Sequence, residues 1–329
     1  MTKTLKLYEE IRGKINAYRY ALSVINWDSE TEAPEGCFEN RARQIGVLSG
    51  ELHKIQTSRE TFLVVNQLYK NKNDLNPLLR HEITVFKRNL TKIRKIPFKE
   101  FVEYRKLLAV SARTCEKAKN AADFSIFQPT LEKIVNYKKK FIKRLETTRI
   151  AGYDVLLDDF EKGFKAKNYD RFFSELKETL VPFIKTITSR KLDYNDAFTN
   201  QTYPVSKQKE FIHYLETVLQ YDKTRGLRKE SAHPFTSGFA PSDVRYTVNY
   251  DESDLTIALF SAIHELGHAI YEQQVNPELE NTLIWGGGSM ALHESQSRFY
   301  ENIVGRSREF WKQHFPVLKT IFKKQLTNI

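Results

Sequence analysis

The sequence predicts a mainly α-helical fold with a small β insert, and three observations support this class. Apolar residues recur at spacings of three and four through most of the first two hundred residues, which is typical of amphipathic helices. Residues 244–250 alternate between apolar and polar side chains after a loop-like segment at 237–242, which favours a short strand. Hydrophobic residues make up 40% of the 329, with 22 Phe and 16 Tyr, so a sizeable core can form.

The N-terminal part of the chain is predicted to be a series of helices. The first apolar stripe starts with Leu5, Leu7, Ile11, Ile15 and Tyr18. Pro34 and Gly36 interrupt it before a second helix from about Glu39 to Ile55. Further helices are predicted at 60–72, 77–94, 98–119 and 129–148, where Pro129 suits a first helical turn. No linker rich in Pro, Gly or Ser and no repeat interrupts the chain, so we expect one domain over 1–329.

Two further helices are predicted after the β segment. The first, capped by Ser253 or Asp254, has an apolar stripe consisting of Leu255, Leu259, Ala262, Leu266 and Ala269. The second follows the triple glycine at 286–288, which permits close backbone approach, and Ser289 is its expected N-cap. We expect this helix to bury Leu292, Phe299 and Ile303.

Composition argues against several classes of protein. Cys37 and Cys115 are far apart and outside any CxxC pattern, which favours a reducing cytosol over a disulfide framework. No run of eighteen apolar residues and no apolar signal core are found, so we expect no membrane association. The net charge of +11 is spread over helices that also carry Asp and Glu, and no nucleic-acid-binding motif accompanies it. A solvated helical surface is therefore favoured over a nucleic-acid partner.

The clearest chemical signal is the sequence His264-Glu265-Leu266-Gly267-His268. Residues i and i+4 of a helix project from nearly the same face, so both imidazoles can reach one metal ion. Glu294, 26 residues after His268 on the next predicted helix, is the expected third ligand. Three protein ligands leave a fourth position for water, as in hydrolytic zinc sites. The alternative is a surface helix with two solvated histidines, but the apolar stripe indicates a buried helix whose histidines need partners.

This pattern predicts a zinc peptidase in which Glu265 takes a proton from the metal-activated water as it attacks a peptide carbonyl. The oxyanion needs a second donor, and Tyr246, Tyr250 and His233 are candidates because they flank the metal helix in sequence. Spacing does not choose among them, and for each one taken singly ordinary core or groove lining is favoured. His293, beside the third ligand, is either a hydrogen-bond partner of a ligand or a core histidine.

Several further motifs resemble the carboxypeptidase Taq family of zinc metallocarboxypeptidases. Near the N-terminus these are Trp27-Asp28-Ser29-Glu30-Thr31 and Arg41-Ala42-Arg43-Gln44. Before the metal helix they are His233-Pro234-Phe235 and Asp243-Val244-Arg245-Tyr246-Thr247. After it they are His293-Glu294-Ser295-Gln296, Glu301-Asn302, Gly305-Arg306-Ser307 and Phe310-Trp311. The motifs occur in the family's order and extend over essentially the whole chain.

The resemblance implies that His264, His268 and Glu294 bind one Zn²⁺ per chain, with Co²⁺ as a productive substitute, and that Glu265 is the catalytic base. It implies that the motifs at 233–247 line a groove-shaped active site. The predicted substrate-binding residues are His233, Asp243 and Arg245 within these motifs, with Tyr250, which flanks the metal helix in sequence, and His293, beside Glu294. Arg245 is suited to a peptide carboxylate because guanidinium binds carboxylates in a bidentate manner, although pairing with Asp243 or Glu252 is the alternative. A cytoplasmic homodimer that removes C-terminal residues from peptides is implied.

The family also has two later motifs, IRxxAD and GxxQDxHW, and neither occurs in this sequence. We therefore expect roughly a third of a typical member to be missing at the C-terminal end. The arginine of the first motif is thought to hold the substrate's terminal carboxylate. The alternative prediction is accordingly a truncated copy that retains metal binding without turnover.

Overall fold

The computed structural model describes residues 2–190, 198 and 201–327, and these residues form a mainly α-helical fold. The helices are α1 Thr2–Thr31, α2 Phe38–Thr57, α3 Arg59–Lys70, α4 Pro77–Ile93, α5 Phe98–Asn120, α6 Gln128–Leu145, α7 Asp154–Phe160, α8 Ala166–Thr188, α9 Val205–Val218, α10 Leu255–Gln273, α11 Met290–Arg298 and α12 Arg308–Ile321. A π-helical segment, Phe299–Val304, follows α11. The strands are β1 Gly226–Glu230, β2 Thr236–Ala240 and β3 Asp243–Val248. The predicted fold class is confirmed.

The predicted helices in the N-terminal part agree with α2 to α6 to within about three residues. Local signals explain this agreement. Ser58 accepts a hydrogen bond from the backbone N–H of Thr61, and Asn76 accepts one from that of Leu79, so both act as N-caps. Pro77 and Pro129 occupy first-turn positions, where the missing N–H costs no helical hydrogen bond.

The chain divides into two compact units. Unit 1 comprises Met1–Glu146, Ser237–Arg245 and Glu272–Gly287, and unit 2 comprises Thr147–Thr236, Tyr246–Tyr271 and Gly288–Ile329. The expectation of a single domain stays a prediction.

Unit 1 has a core built by α1 to α4. Its buried residues are Tyr8, Ile11, Ile15, Leu22, Ile45, Leu52, Val64, Val65, Leu68, Leu75, Ile83, Phe86 and Leu90. Part of the N-terminal motif is structural here, because Arg41 of α2 pairs with Asp28 of α1 at 2.6 Å. The same guanidinium donates to the carbonyl oxygen of Ile25 at 3.2 Å and to the hydroxyl of Ser29 at 3.3 Å, so it connects α2 to the last turns of α1.

Unit 2 has its core around α10, which is buried along most of its length. Ala258, Ala262, Ile263, Leu266 and Ala269 have 0% exposure. Helices α9 and α12 add an aromatic layer in which the rings of Phe211 and Trp311 stack at 6.3 Å. The segment after α12 contributes Phe322, whose ring meets that of Tyr203 edge-on at 5.2 Å. The apolar stripe predicted for α10 is confirmed.

The three strands form one small sheet in the order β1-β3-β2. β2 and β3 are joined by residues 241–242, as in a hairpin, and the predicted strand at 244–250 corresponds to β3. Val244, Tyr246 and Val248 on β3 are buried at 0% exposure, as expected for alternate side chains that share one face.

The expected burial of Leu292, Phe299 and Ile303 is wrong. These side chains are 46%, 49% and 64% exposed. The π-helical segment changes the periodicity after Arg298, so Phe299 and Ile303 do not follow a buried stripe. Leu292 lies before this segment, in the exposed first turn of α11. Among the helices of residues 2–190, 198 and 201–327, none has the length and hydropathy required to cross a bilayer.

Candidate metal centre

Helix α10 places the paired histidines. Asp254 caps it, since its carboxylate accepts a hydrogen bond from the N–H of Thr256 at 2.8 Å. Ser253 donates its backbone N–H to Asp251 instead and lies outside the helix. With the apolar stripe buried, the side chains of His264 and His268 remain 15% and 13% exposed. The two imidazoles are thus held at the edge of a buried helix, where an ion and a substrate can still reach them.

Helix α11 brings the third predicted ligand to this edge. Ser289 is its N-cap, as predicted, and accepts a hydrogen bond from the N–H of Leu292. Gly267 permits the approach of α11 to α10, because a Cβ there would lie 2.8 Å from the Cα of Ser297. Of the three preceding glycines, Gly287 has a φ of +78°, a conformation that favours glycine.

His264, His268 and Glu294 converge on one point. One Oε of Glu294 lies 3.8 Å from Nε2 of His264 and 3.5 Å from Nε2 of His268. One ligand atom from each residue lies within 4.8 Å of the others. Two imidazole nitrogens and one carboxylate oxygen are a donor set that suits zinc and related divalent ions. The residues therefore fit a bound divalent metal ion.

Glu301, on the π-helical segment, orients His264. Its Oε2 lies 3.0 Å from Nδ1 of His264, which leaves Nε2 of the same ring directed towards Glu294. Arg298 and Arg306 donate to the Glu301 carboxylate at 3.2 and 2.8 Å. Burial opposes ionisation of Glu301, but the hydrogen bonds from Arg306 and His264 and the charge of Arg298 lower its pKa. A carboxylate behind a ligand histidine fixes its tautomer and ring orientation.

Sequence reasoning assigned no role to Glu301. Its spacing was informative: Glu294 and Glu301 are seven residues apart, which is two helical turns and roughly the same face. Arg298 links the two carboxylates, because it also donates to Oε1 of Glu294 at 2.8 Å. The other oxygen of Glu294 faces the imidazoles.

His293 lies against the second ligand. Its Nδ1 is 2.5 Å from Nδ1 of His268, and its ring meets Tyr271 edge-on at 5.1 Å. Burial, followed by the neighbouring charges of His293 and His264, lowers the pKa of His268 to about 4. His268 is thus neutral at pH 7, which is the form that binds metals.

Glu265 is buried, at 6% exposure, next to the ligand pair. The hydroxyl of Thr236 on β2 donates to its carboxylate at 2.7 Å and lies 3.0 Å from its carbonyl oxygen. Burial is the main cause that raises the pKa of Glu265, and the charge of Glu294 adds to it. A carboxylate with a raised pKa is a better proton acceptor, as a general base must be.

Arg245 and Asp243, predicted to bind substrate, pair with each other in unit 1. Nε and one Nη of Arg245 donate to the two oxygens of Asp243, both at 2.8 Å. The guanidinium also lies 4.6 Å from the ring centre of Phe239. This is the internal pairing that the sequence left open, and a substrate role for either residue stays a prediction.

The remaining candidates belong to unit 2. Tyr250 lies beneath Lys209, whose Nζ is 5.3 Å from the ring centre, and burial raises its pKa to about 12. The backbone carbonyl of His233 accepts a hydrogen bond from the hydroxyl of Ser231. Tyr246 is buried with its hydroxyl donated to Glu216 at 2.7 Å, which makes it a structural residue of β3. Substrate roles for His233, Tyr250 and His293 stay predictions.

Comparisons with known proteins agree with the geometry of the centre. The family model described as "Carboxypeptidase Taq (M32) metallopeptidase" matches residues 7–329. Carboxypeptidase 1 of Bacillus subtilis (strain 168) is 37% identical over 324 residues, which cover 98% of this chain and 64% of that protein. Thermostable carboxypeptidase 1 of Pyrococcus furiosus is 34% identical, with 93% and 61% covered. The chain thus spans less than two thirds of the length of these relatives.

Solved structures show the same likeness. The crystal structure of BsuCP superposes with a TM-score of 0.96 at 36% identity and covers 99% of this chain and 66% of that one. An M32 carboxypeptidase from Deinococcus radiodurans R1 gives a TM-score of 0.88 at 29% identity, with 99% and 65% covered. With the matched family model and the His264–His268–Glu294 group, these likenesses show that the chain belongs to the carboxypeptidase Taq (M32) family of metallopeptidases.

Proposed function

We propose that this protein is a zinc-dependent metallocarboxypeptidase that removes C-terminal amino acids from peptides. The observation that carries the proposal is the convergence of His264, His268 and Glu294 beside the buried carboxylate of Glu265. The relatives at 37% and 34% identity are named carboxypeptidases, which supports the same reaction here.

His264, His268 and Glu294 would hold one zinc ion per chain, and cobalt, which accepts the same donors, would substitute. When bound, the ion supplies a Lewis acid and lowers the pKa of water in its open position. The carboxylate of Glu301 holds His264 in the tautomer that presents Nε2. Arg298 keeps one oxygen of Glu294 occupied, so the other is presented to the imidazoles.

Glu265 is the proposed general base. Its carboxylate is held by the Thr236 hydroxyl, so it keeps a fixed position while it takes a proton from the attacking water and passes it to the leaving amine. Thr236 is the first residue of β2 and belongs to unit 2 together with Glu265. Substrate-binding roles for His233, Asp243, Arg245, Tyr250 and His293 complete the proposal.

Two further properties belong to this proposal. Cys37 and Cys115 are both free, which is consistent with a cytoplasmic location. The resemblance to the family supports assembly as a homodimer.

The decisive test compares two peptides of the same sequence, one with a free C-terminal carboxylate and one amidated. Zinc-loaded protein should release single amino acids from the free peptide only. Glu265→Gln should retain stoichiometric zinc and lose most turnover, because general-base catalysis contributes about 10²- to 10⁴-fold. Mass spectrometry of the products and metal analysis of both proteins give the readout.

Other outcomes have defined meanings. Cleavage at internal bonds would make the protein an endopeptidase. Stoichiometric zinc without turnover of either peptide would favour the alternative, a metal-binding protein that lacks catalysis. Absence of zinc from the unsubstituted protein would refute the proposal as a whole.

A further inference from the structure

A second candidate site lies within unit 1, in a cavity of about 680 Å³. Its walls come from α1, α2, α5, the β2–β3 hairpin and residues 280–286. Neither the three metal ligands nor Glu265 and Glu301 line it, although Asp243, one of the proposed substrate-binding residues, does. Its volume is in the range of pockets that hold small molecules.

Two arginines line this cavity without a partner. Arg19 on α1 and Arg105 on α5 are both only partly exposed. Neither guanidinium makes a hydrogen bond or an ion pair with any residue in the part of the chain that the structure describes. Burial lowers the pKa of each, yet an arginine keeps its charge in proteins. Charges that are partly withdrawn from water are normally paired, so we expect an anion beside these two guanidinium groups.

The acidic residues of the cavity are already engaged. Asp243 is held by Arg245 at 2.8 Å on both oxygens and also accepts the hydroxyl of Tyr20 at 3.1 Å. Glu280 accepts the hydroxyl of Ser242. Glu280 is then the one acidic residue of the cavity wall that lacks a basic partner among the described residues. With two unpaired arginines against one such carboxylate, the cavity wall keeps an excess of positive charge.

The apolar part of the wall is the second feature of this cavity. It includes four aromatic rings, those of Tyr20, Phe101, Phe239 and Trp285. The cavity thus combines cationic donors with apolar surface.

We propose that this cavity binds a small organic anion, a carboxylate or phosphate group carried on an apolar body. Arg19 and Arg105 would bind the anionic group, and the aromatic rings would cover the apolar part. Guanidinium groups bind carboxylates and phosphates alike in a bidentate manner. The two arginines therefore require a negatively charged ligand, and the shape of the cavity decides which of the two groups it binds.

The test is isothermal titration calorimetry on the full chain with four probes. These are 3-phenylpropionate, phenyl phosphate, L-phenylalanine and the neutral 3-phenylpropanamide. We expect at least one of the two simple anions to bind with a Kd below about 1 mM, and the neutral amide to bind at least tenfold more weakly. The ratio between carboxylate and phosphate identifies the preferred group, and L-phenylalanine shows whether an added ammonium is tolerated.

Arg19→Gln and Arg105→Gln should each weaken binding of the anion about tenfold, and the double variant should abolish it. Arg59→Gln, at an exposed position of α3 outside the cavity, is the matched control and should bind normally. Removal of an unpaired, partly buried charge should leave the unfolding temperature of the free protein unchanged or higher. An arginine with a purely structural role would lower it instead.

The proposal would be overturned by no binding of either anion, by equal binding of acid and amide, or by unchanged affinity in the double variant. The titration is repeated after the metal has been removed with a chelator. Unchanged affinity supports a site in unit 1 that is independent of the metal centre. Loss of binding would assign the anion to the metal itself and refute the cavity as its site. Failure of the peptidase assay would not affect this outcome.

Discussion

At the scale of single residues, the metal centre depends on how charges are paired behind the ligands. Arg298 and Arg306 pair with Glu301, whose carboxylate in turn hydrogen-bonds Nδ1 of His264. Arg298 also donates to Glu294. Each contact removes rotational freedom from a ligand before any metal binds, so less entropy is lost on binding. The arrangement therefore predicts that Glu301 affects metal affinity although it is not itself a ligand.

Glu301→Gln should reduce zinc affinity about 10- to 100-fold, because an amide oxygen is a weaker acceptor for His264 and loses the charge that pairs with Arg306. Competition with a chromophoric chelator measures the affinity. Glu309→Gln on α12 removes the same charge from a side chain that is 76% exposed and should leave the affinity unchanged. Equal affinities in the two variants would show that the Glu301 contact does not support the centre.

At the scale of helices, the position of α11 against α10 decides whether Glu294 reaches the histidines. Gly267 lies at the crossing point, where a Cβ would meet the Cα of Ser297 at 2.8 Å, the Cβ of Tyr300 at 3.0 Å and the carbonyl of Gln296 at 3.2 Å. Backbone atoms of a packed helix cannot move aside individually. A larger residue must therefore shift α11 as a whole, together with its ligand.

Gly267→Ala should destabilise the protein by about 1–3 kcal/mol through overpacking, more than the helix propensity of alanine returns. It should also weaken zinc binding. Gly13→Ala on α1 is the matched control, since nothing lies within 4 Å of its added Cβ. We expect the control to be stabilised by up to about 1 kcal/mol. Denaturant unfolding measures both, and a stabilised Gly267→Ala protein would contradict the packing argument.

The contact between α9 and α12 should make stability depend on pH. His314 is buried at 5% exposure, with its Nδ1 2.8 Å from the hydroxyl of Tyr214. Burial lowers the pKa of His314 below that of the unfolded chain, which is about 6.5. The folded state thus favours the neutral ring, and its contribution to stability is present above pH 6.5 and lost as pH falls through the folded pKa.

We therefore expect the difference in unfolding free energy between the unsubstituted protein and His314→Gln to shrink as pH falls from about 7.5 to 5. Urea unfolding of metal-free protein at several pH values gives this difference. His81→Gln, at an exposed position of α4, controls for the loss of one histidine. A difference that grows on acidification would mean that the folded state favours the charged ring.

At the scale of the whole molecule, all residues of the metal centre belong to unit 2, although they come from α10, α11, the π-helical segment and β2. A ligand that binds only the folded arrangement stabilises it by mass action. Zinc should therefore act as a cross-link among elements that are distant in sequence.

Zinc at about a thousandfold excess over its Kd should stabilise the folded protein by about 4 kcal/mol and raise the Tm in a concentration-dependent manner. Differential scanning calorimetry at several free zinc concentrations measures this. His268→Ala should abolish the shift, while Glu265→Gln should retain it. A Tm that is insensitive to zinc in the unsubstituted protein would argue against a preformed centre.

The sequence by itself determined the helical class, the bounds of α2 to α6 within a few residues, and the common face of His264 and His268; Glu294 was predicted as their partner from its position on the next helix and from the resemblance to a family. These features depend on local periodicity, capping and i, i+4 spacing, which are properties of neighbouring residues. Only the tertiary structure decided that Arg245 pairs with Asp243, that Glu301 holds His264, and that Phe299 and Ile303 are exposed. Those outcomes depend on which elements approach each other and on a π-helical turn that shifts the register. Spacing along the chain does not encode the distances between elements that settle such pairings.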